Sequence, residues 1–192
     1  MTKKRVVVTG LGCLTPIGCN KDDFWKSLLE GKSGAKTIDF LDVDKLPVKF
    51  SASVKDFQSD KYFDKKDLKK MDLFMQYGMA AGIDAVADAK LLESQCNPDR
   101  IGVSIGSGIG GLYNIENTRD TFIKSGSRRI SPFFVPASII NMISGNLSIK
   151  YGFKGPNLSI VTACTTGTHN IGEGFRQIQY LSLIHISEPT RQ

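Results

Sequence analysis

Residues 157–167 read NLSIVTACTTG, an apolar run that ends in small and hydroxylated residues. The β-branched and apolar residues of LSIVT predict a buried strand over residues 157–162. A helix is expected to begin directly after this strand and to reach about Tyr180. The strand-to-helix junction, with Cys164 at its centre, decides the expected fold class.

Strands and helices alternate on the N-terminal side of this junction as well. The segments RVVVT and IGVSI predict buried strands over residues 5–9 and 100–105. Strands that alternate with helices indicate a layered α/β fold. Helices are expected over residues 21–30 (capped by Asn20 and ended by Gly31), 65–90, 112–124 and 137–150.

The composition is that of a globular protein. The chain has 192 residues, of which 41% are hydrophobic and 23% charged, and this suits one domain with a substantial core. No run of about 18 apolar residues is present, so we expect no membrane insertion. The N-terminal apolar run, three valines, is too short for a secretory signal, and a cytoplasmic location is expected.

Basic residues are unevenly distributed along the chain, whose formal net charge is +6. Residues 121–172 contain no Asp or Glu, and a second lysine cluster over residues 61–70 is interleaved with aspartates. Such patches suit an acidic partner, although a solvated helix face explains the second cluster equally well. Nucleic acid is not the expected partner, because the sequence shows no stacking platform and no module signature.

Cys164 is the strongest chemical candidate. The N-terminus of the following helix offers backbone N–H groups and a positive dipole end, which favour a thiolate nucleophile. The alternative is a buried structural cysteine. His169 lies five positions further along, about 140° from the face of Cys164, so a packing or capping role is expected for it.

No cofactor or metal is expected. The four cysteines form no C-x-x-C pair, and only two histidines are available, so a zinc site is not predicted. Residues 106–111, GSGIGG, match the dinucleotide-binding pattern, but the acidic residue expected about 20 positions later is missing. Backbone flexibility near a substrate channel is the preferred interpretation of these glycines.

Five segments carry a resemblance to a known family: VVVTGLGCLTPIG, KKMDLFMQYG, IGSGIGG, ISPFFVP and GPNLSIVTACTTGTHNIG. Together they resemble the β-ketoacyl-acyl-carrier-protein synthases, in particular the type II enzymes, over residues 1–180. The resemblance implies a thiolase-like fold, a layered α/β architecture with a mixed sheet. Residues 1–180 would form its N-terminal half, and the full-length protein would be a homodimer.

The resemblance also implies roles for individual residues. Cys164 corresponds to the nucleophile, Ile109 to a gate of the acyl channel, and Phe134 to an interface residue that lines the partner's acyl pocket. A basic surface would bind the acidic acyl-carrier protein. We call it the docking patch, and it consists of Lys66, Lys69, Lys70, Arg128 and Arg129.

The implied reaction is the decarboxylative Claisen condensation of fatty acid elongation, an acyl transfer that requires no organic cofactor. The family's two catalytic histidines and supporting lysine belong to its C-terminal half, so the 192-residue chain alone is expected to be inactive. Residues 181–192 depart from the family and resemble translated sequencing-adapter read-through, so we expect a non-native tail in which His185 has no catalytic role.

Several alternatives remain open. The chain could be a non-catalytic module of the same fold that only binds carrier protein or dimerises. Within the enzymes, a polyketide ketosynthase and a type I synthase are possible. A thiolase is disfavoured because the docking patch suits a carrier protein better than coenzyme A.

Overall fold

The central strand of the molecule is β3 (Ile101–Ser104), in which all four residues are buried. The computed structural model describes residues 5–40, residues 42–180 and the backbone of residues 185–187. In it, β3 pairs in parallel with β4 (Asn157–Leu158) on one side and with β5 (His185–Ser187) on the other. A central parallel strand is covered on both faces, which explains its continuous run of small and apolar residues.

Two helices pack closely together over this sheet. They are α3 (Leu73–Asp88) and α6 (Met142–Tyr151). A Cβ atom built on Gly78 would lie 2.7 Å from Cγ2 of Ile143, a buried α6 residue. Glycine at position 78 therefore permits a close contact between the two helices, which contribute more than half of the buried residues of the hydrophobic core.

The remaining elements surround this core. Two short strands, β1 (Lys36–Thr37) and β2 (Phe50–Ser51), form an antiparallel pair that is separate from the parallel sheet. The arrangement confirms the α/β class. The further elements are α1 (Lys21–Leu29), β1 (Lys36–Thr37), β2 (Phe50–Ser51), α2 (Lys65–Leu68), α4 (Leu112–Ser125), α5 (Phe134–Ser138) and α7 (Thr166–Gln179).

The first helix has the predicted start and end. The Asn20 side chain accepts hydrogen bonds from the backbone N–H groups of Asp22 at 3.0 Å and Asp23 at 2.9 Å. These contacts satisfy two of the donors that a helix start leaves unpaired. Gly31 follows the helix with φ +66°, a backbone conformation that glycine adopts without steric cost.

The predicted strand over residues 5–9 is wrong. No strand is assigned there, and Val8 is 71% exposed. The chain that follows is held by α3 instead of by a strand. The Leu11 N–H donates to Asp88 at 2.9 Å, and a side chain on Gly12 would overlap the Ala81 carbonyl oxygen. Apolar residues form a strand only where a neighbouring strand accepts their backbone hydrogen bonds.

Three element boundaries also differ from the prediction. The single helix expected over residues 65–90 is divided into α2 and α3. Asp72, between them, has an extended backbone with ψ 162°, which interrupts the helix. The expected strand over residues 157–162 ends at Leu158, because later N–H groups bond to side chains, as Ile160 does to Asn170. The helix expected over residues 137–150 is α6, and a separate short α5 precedes it.

The expected tail over residues 181–192 lies mostly outside the described residues. Only the backbone of 185–187 is described, as the strand β5. The non-native origin of the tail stays a prediction, and resequencing the gene across codon 180 would test it. An uninterrupted genomic reading frame through Gln192 would contradict it.

Candidate active site

Cys164 lies in a single 3₁₀ turn, Ala163–Thr165, that leads directly into α7. Its side chain is exposed. The alternative of a buried structural thiol therefore does not apply. Cys164 lies two residues before Thr166, the first residue of a 14-residue helix, where the helix dipole favours negative charge.

The backbone of this turn is strained and firmly held. Ala163 has φ +51°, a left-handed conformation that costs a residue with a Cβ about 1–2 kcal/mol. The Thr162 carbonyl oxygen accepts from both the N–H (3.1 Å) and the hydroxyl (2.7 Å) of Thr165, and the Thr162 N–H donates to the Thr166 hydroxyl at 2.9 Å. Strain of this kind persists where surrounding contacts impose it, and it is common at functional sites.

Asn170 anchors the turn, although no pattern in the sequence indicated this role. Its side chain is completely buried. The side-chain oxygen accepts from the Ser104 hydroxyl at 2.7 Å, and the NH₂ group donates to the carbonyls of Ile160 (2.9 Å) and Thr166 (2.8 Å). One amide thus joins β3, the segment before Cys164 and the start of α7.

The other thiols are less suited to nucleophilic chemistry. Cys13, Cys19 and Cys96 are each half-buried. Burial raises the pKa of Cys19, and the carboxylates of Asp56 and Asp23 raise it further. Because the thiolate is the reactive form, Cys19 is the poorer nucleophile at neutral pH.

His169 lies in α7 with an exposed side chain. The packing role expected for it is wrong. An imidazole on a helix surface remains solvated, and nothing in its placement gives it a part in the chemistry of Cys164.

The glycine loop over residues 106–111 lies against the Cys164 turn. A Cβ on Gly106 would overlap the Ile160 carbonyl oxygen, and one on Gly108 would lie 3.7 Å from the carbonyl oxygen of Ala163. Close backbone approach, rather than flexibility, therefore explains Gly106. Ile109, the expected gate, is 70% exposed at the tip of this loop.

The start of α4, directly after the loop, argues against dinucleotide binding. In such proteins the first helix turn binds a phosphate through its N–H groups. Here a carboxylate occupies that position, because Asp72 accepts from the Asn114 N–H at 2.8 Å. A phosphate there would meet a like charge.

Phe134, the expected pocket residue, is the half-buried first residue of α5. Its carbonyl oxygen accepts from the Asn114 amide at 3.1 Å, and the Gly111 N–H donates to the Ser138 carbonyl at 3.0 Å. The glycine loop therefore contacts the Cys164 turn on one side and α5 on the other. The structure places Cys164, Ile109 and Phe134 around this one loop.

Lys70 lies close to the segment that follows the two arginines of the docking patch. Lys70 forms an ion pair with Asp67 at 2.9 Å, and its Nζ lies 5.8 Å from the ring centre of Phe133. Phe133 follows Arg129 by four residues. The other four members of the patch are exposed: Lys66, Lys69, Arg128 and Arg129.

The part of the chain that the structure describes offers little for other kinds of site. Over that part, no group of three His, Cys, Asp or Glu side chains could hold a metal ion. Within the same residues, no helix combines the length and apolar character needed to cross a bilayer. A cleft of about 560 Å³ lies away from Cys164, between residues 16–36 and 55–62.

Comparison with protein families gives a match over nearly the whole chain. The model described as "Beta-ketoacyl synthase, N-terminal domain" matches residues 3–181. The 3-oxoacyl-[acyl-carrier-protein] synthase 2 of Vibrio harveyi is 52% identical over 180 residues, which are 94% of this chain and 43% of that protein. The enzyme of the same name from Coxiella burnetii is 49% identical, with 94% and 44% covered. The chain thus spans less than half the length of these relatives.

Solved structures show the same fold at lower identity. A type II polyketide ketosynthase in complex with its acyl-carrier protein superimposes with a TM-score of 0.80 at 23% identity, covering 100% of this chain and 52% of that one. The ishigamide ketosynthase/chain length factor gives 0.82 at 24% identity, covering 95% and 46%. The expected thiolase-like fold is confirmed by these likenesses.

Proposed function

The chain belongs to the β-ketoacyl synthase family, and on that premise we propose that it is the part of a fatty acid elongation enzyme that carries the nucleophile, Cys164. The observation that carries the proposal is the exposed thiol of Cys164 at the start of α7. The relatives named 3-oxoacyl-[acyl-carrier-protein] synthase 2 support a type II enzyme. No second function has an observation of its own in its favour.

The first step is transfer of the acyl chain to the enzyme. The thiolate sulfur of Cys164 attacks the thioester carbonyl of an acyl-carrier protein and forms a new C–S bond. The C–S bond to the carrier breaks, and the carrier leaves as a thiolate that takes a proton from water. The backbone N–H of Cys164 donates to the developing oxyanion, and a well-placed donor of this kind contributes about 3 kcal/mol. A cysteine thiolate suits both the attack on the thioester and the later departure from the acyl group, because it is a good nucleophile and a good leaving group.

The second step extends the chain by two carbons. A malonyl-carrier protein loses carbon dioxide, and the resulting carbanion attacks the acyl-Cys164 carbonyl. The bond to the Cys164 sulfur breaks, the thiolate is released, and the 3-ketoacyl product remains on the carrier. The catalytic histidines implied by the resemblance assist decarboxylation from outside this chain, so the 192 residues alone do not complete the condensation.

The proposed partners rest on the docking patch and on the family resemblance, which implies an interface role for Phe134. Four exposed cations of the patch suit an acidic carrier protein. The complete protein acts as a homodimer in the cytoplasm, where Phe134 lines the acyl pocket of the second subunit. Ile109, at the tip of the glycine loop, gates the channel that the acyl chain enters.

The experiment is acyl transfer to the complete gene product, with mass spectrometry to locate the acyl group. We expect a thioester on Cys164, its loss in Cys164→Ala, and a fall in condensation of about a thousandfold or more. The matched control, Cys19→Ala, removes a thiol of raised pKa and keeps full acylation. Carrier binding without any acylation would contradict the proposal and would favour a non-catalytic docking module.

A further inference from the structure

Asp72 caps a helix other than its own. It occupies the N-cap position of α3, yet its side chain makes no capping hydrogen bond to that helix. Its carboxylate instead accepts from the Asn114 N–H at 2.8 Å, in the first turn of α4. The N-cap residue of α4 is Gly111, which has no side chain with which to cap the helix. Asp72 supplies this cap from 42 residues away.

Asn114 extends the connection to α5. Its side-chain amide donates to the Phe134 carbonyl at 3.1 Å and to the Ser138 hydroxyl at 2.8 Å. A Cβ atom built on Gly111 would lie 3.1 Å from a carboxylate oxygen of Asp72. The C-terminal end of the glycine loop is therefore fixed between a carboxylate on one side and α5 on the other.

The contact between Asp72 and the start of α4 lies close in sequence to residues of the proposed site. Lys70, a member of the docking patch, precedes Asp72 by two residues, and Ile109 precedes Gly111 by two residues. We propose that Asp72 is a positioning residue. Through Asn114 and Gly111, it holds the glycine loop that carries Ile109 in place beside the lysines of the docking patch. This inference rests on the proposed function, since it concerns the gate of the same acyl channel.

Fixing one end of the glycine loop should affect the turnover of long acyl chains more than the turnover of short ones. Only a chain that extends past Ile109 requires the loop to keep a defined position, whereas a short chain reaches Cys164 without meeting the gate. Loss of the Asp72 contact should therefore reduce turnover of long substrates selectively. Binding of the carrier protein depends on exposed cations that do not contact Asn114, so it should not change.

The test compares Asp72→Ala, Asp72→Asn and Asn20→Ala in the complete gene product, with hexanoyl and palmitoyl chains on the carrier protein. For Asp72→Ala we expect kcat with palmitoyl to fall about tenfold relative to hexanoyl, while KM for the carrier stays within about twofold. Asp72→Asn keeps an acceptor oxygen and should restore most of the palmitoyl rate. Asn20→Ala removes a comparable cap at α1 and should leave the ratio of the two rates unchanged.

Hydrogen exchange gives a readout that does not depend on turnover. Amides of residues 110–114 should exchange faster in Asp72→Ala than in the parent or in Asn20→Ala. An equal loss of rate for both chain lengths, or no rescue by Asp72→Asn, would overturn the positioning role while leaving the proposed function intact. A parent protein that forms no acyl-Cys164 would overturn both.

Discussion

Asn170 connects the segment around Cys164 to the central sheet through its side chain. Its amide group makes four hydrogen bonds, to Ser104, to Thr166, and to both the N–H and the carbonyl of Ile160. A buried amide of this kind is stable only when its donors and acceptors are all paired. The residue therefore fixes the start of α7 relative to the sheet, and with it the position of the thiol.

Replacement of Asn170 should destabilise the protein strongly. We expect Asn170→Ala to lower the free energy of unfolding by about 2–4 kcal/mol, because buried partners lose their hydrogen bonds. Asn170→Asp should be at least as harmful, since a carboxylate cannot donate to the two carbonyls. Urea denaturation of the complete gene product measures the effect. Asn117→Ala, at an exposed position of α4, should change stability by no more than about 0.5 kcal/mol.

The glycine loop is the element that joins the parts of the site. Its first glycine lies against the backbone before Cys164, its tip carries Ile109, and its last glycine contacts Ser138 of α5. The glycines thus differ in their physical role, although the sequence pattern treats them alike. Gly106 is required for close approach, Gly110 for its φ of +84°, and Gly108 for neither.

Alanine substitutions within this loop should separate these roles. Gly106→Ala places a methyl group against the Ile160 carbonyl and the Asn170 side chain, so we expect a loss of stability of about 2–3 kcal/mol. Gly108→Ala makes only ordinary contacts and should remain within about 0.5 kcal/mol of the parent. Thermal unfolding of the two variants checks this, and equal melting temperatures would refute the packing argument.

At the scale of the whole molecule, exposed cations from two separate segments of the chain make up the docking patch. The docking patch presents exposed cations from α2 and from the 3₁₀ turn Ser127–Arg129. Long-range attraction of this kind accelerates encounter with an oppositely charged protein and weakens as salt increases. The distribution of charge therefore suits an acidic protein partner, such as the carrier protein in the proposed function.

Charge reversal in the docking patch should affect only carrier-borne substrates. We expect Lys66→Glu and Arg129→Glu each to raise KM for the acyl-carrier protein about fivefold at low salt, with the difference shrinking as salt is added. The control Lys154→Glu makes the same charge change at an exposed site outside the patch. Rates with a simple acyl-pantetheine thioester should be unchanged in all three variants. A uniform effect on both substrates would argue against a docking role.

Local signals in the sequence were enough for some features. The Asn20 cap, the stop at Gly31, the strand in IGVSI and the place of Cys164 at a helix start depend on residues close together in the chain. Such features are encoded by short-range hydrogen bonding and by apolar periodicity, so reading neighbouring residues suffices. The motif segments also indicated the family, which the match over residues 3–181 confirmed.

Tertiary contacts decided the rest. The valines of residues 5–9 form no strand, the cap of α4 comes from Asp72, and the Cys164 turn is anchored by Asn170. No strand pairs with the valine segment, whereas Asp72 accepts a hydrogen bond from Asn114, 42 residues away, and Asn170 accepts one from Ser104, 66 residues away. Local propensity determines which segments can be helix or strand, but only the assembled chain determines which hydrogen-bonding partner each segment finds.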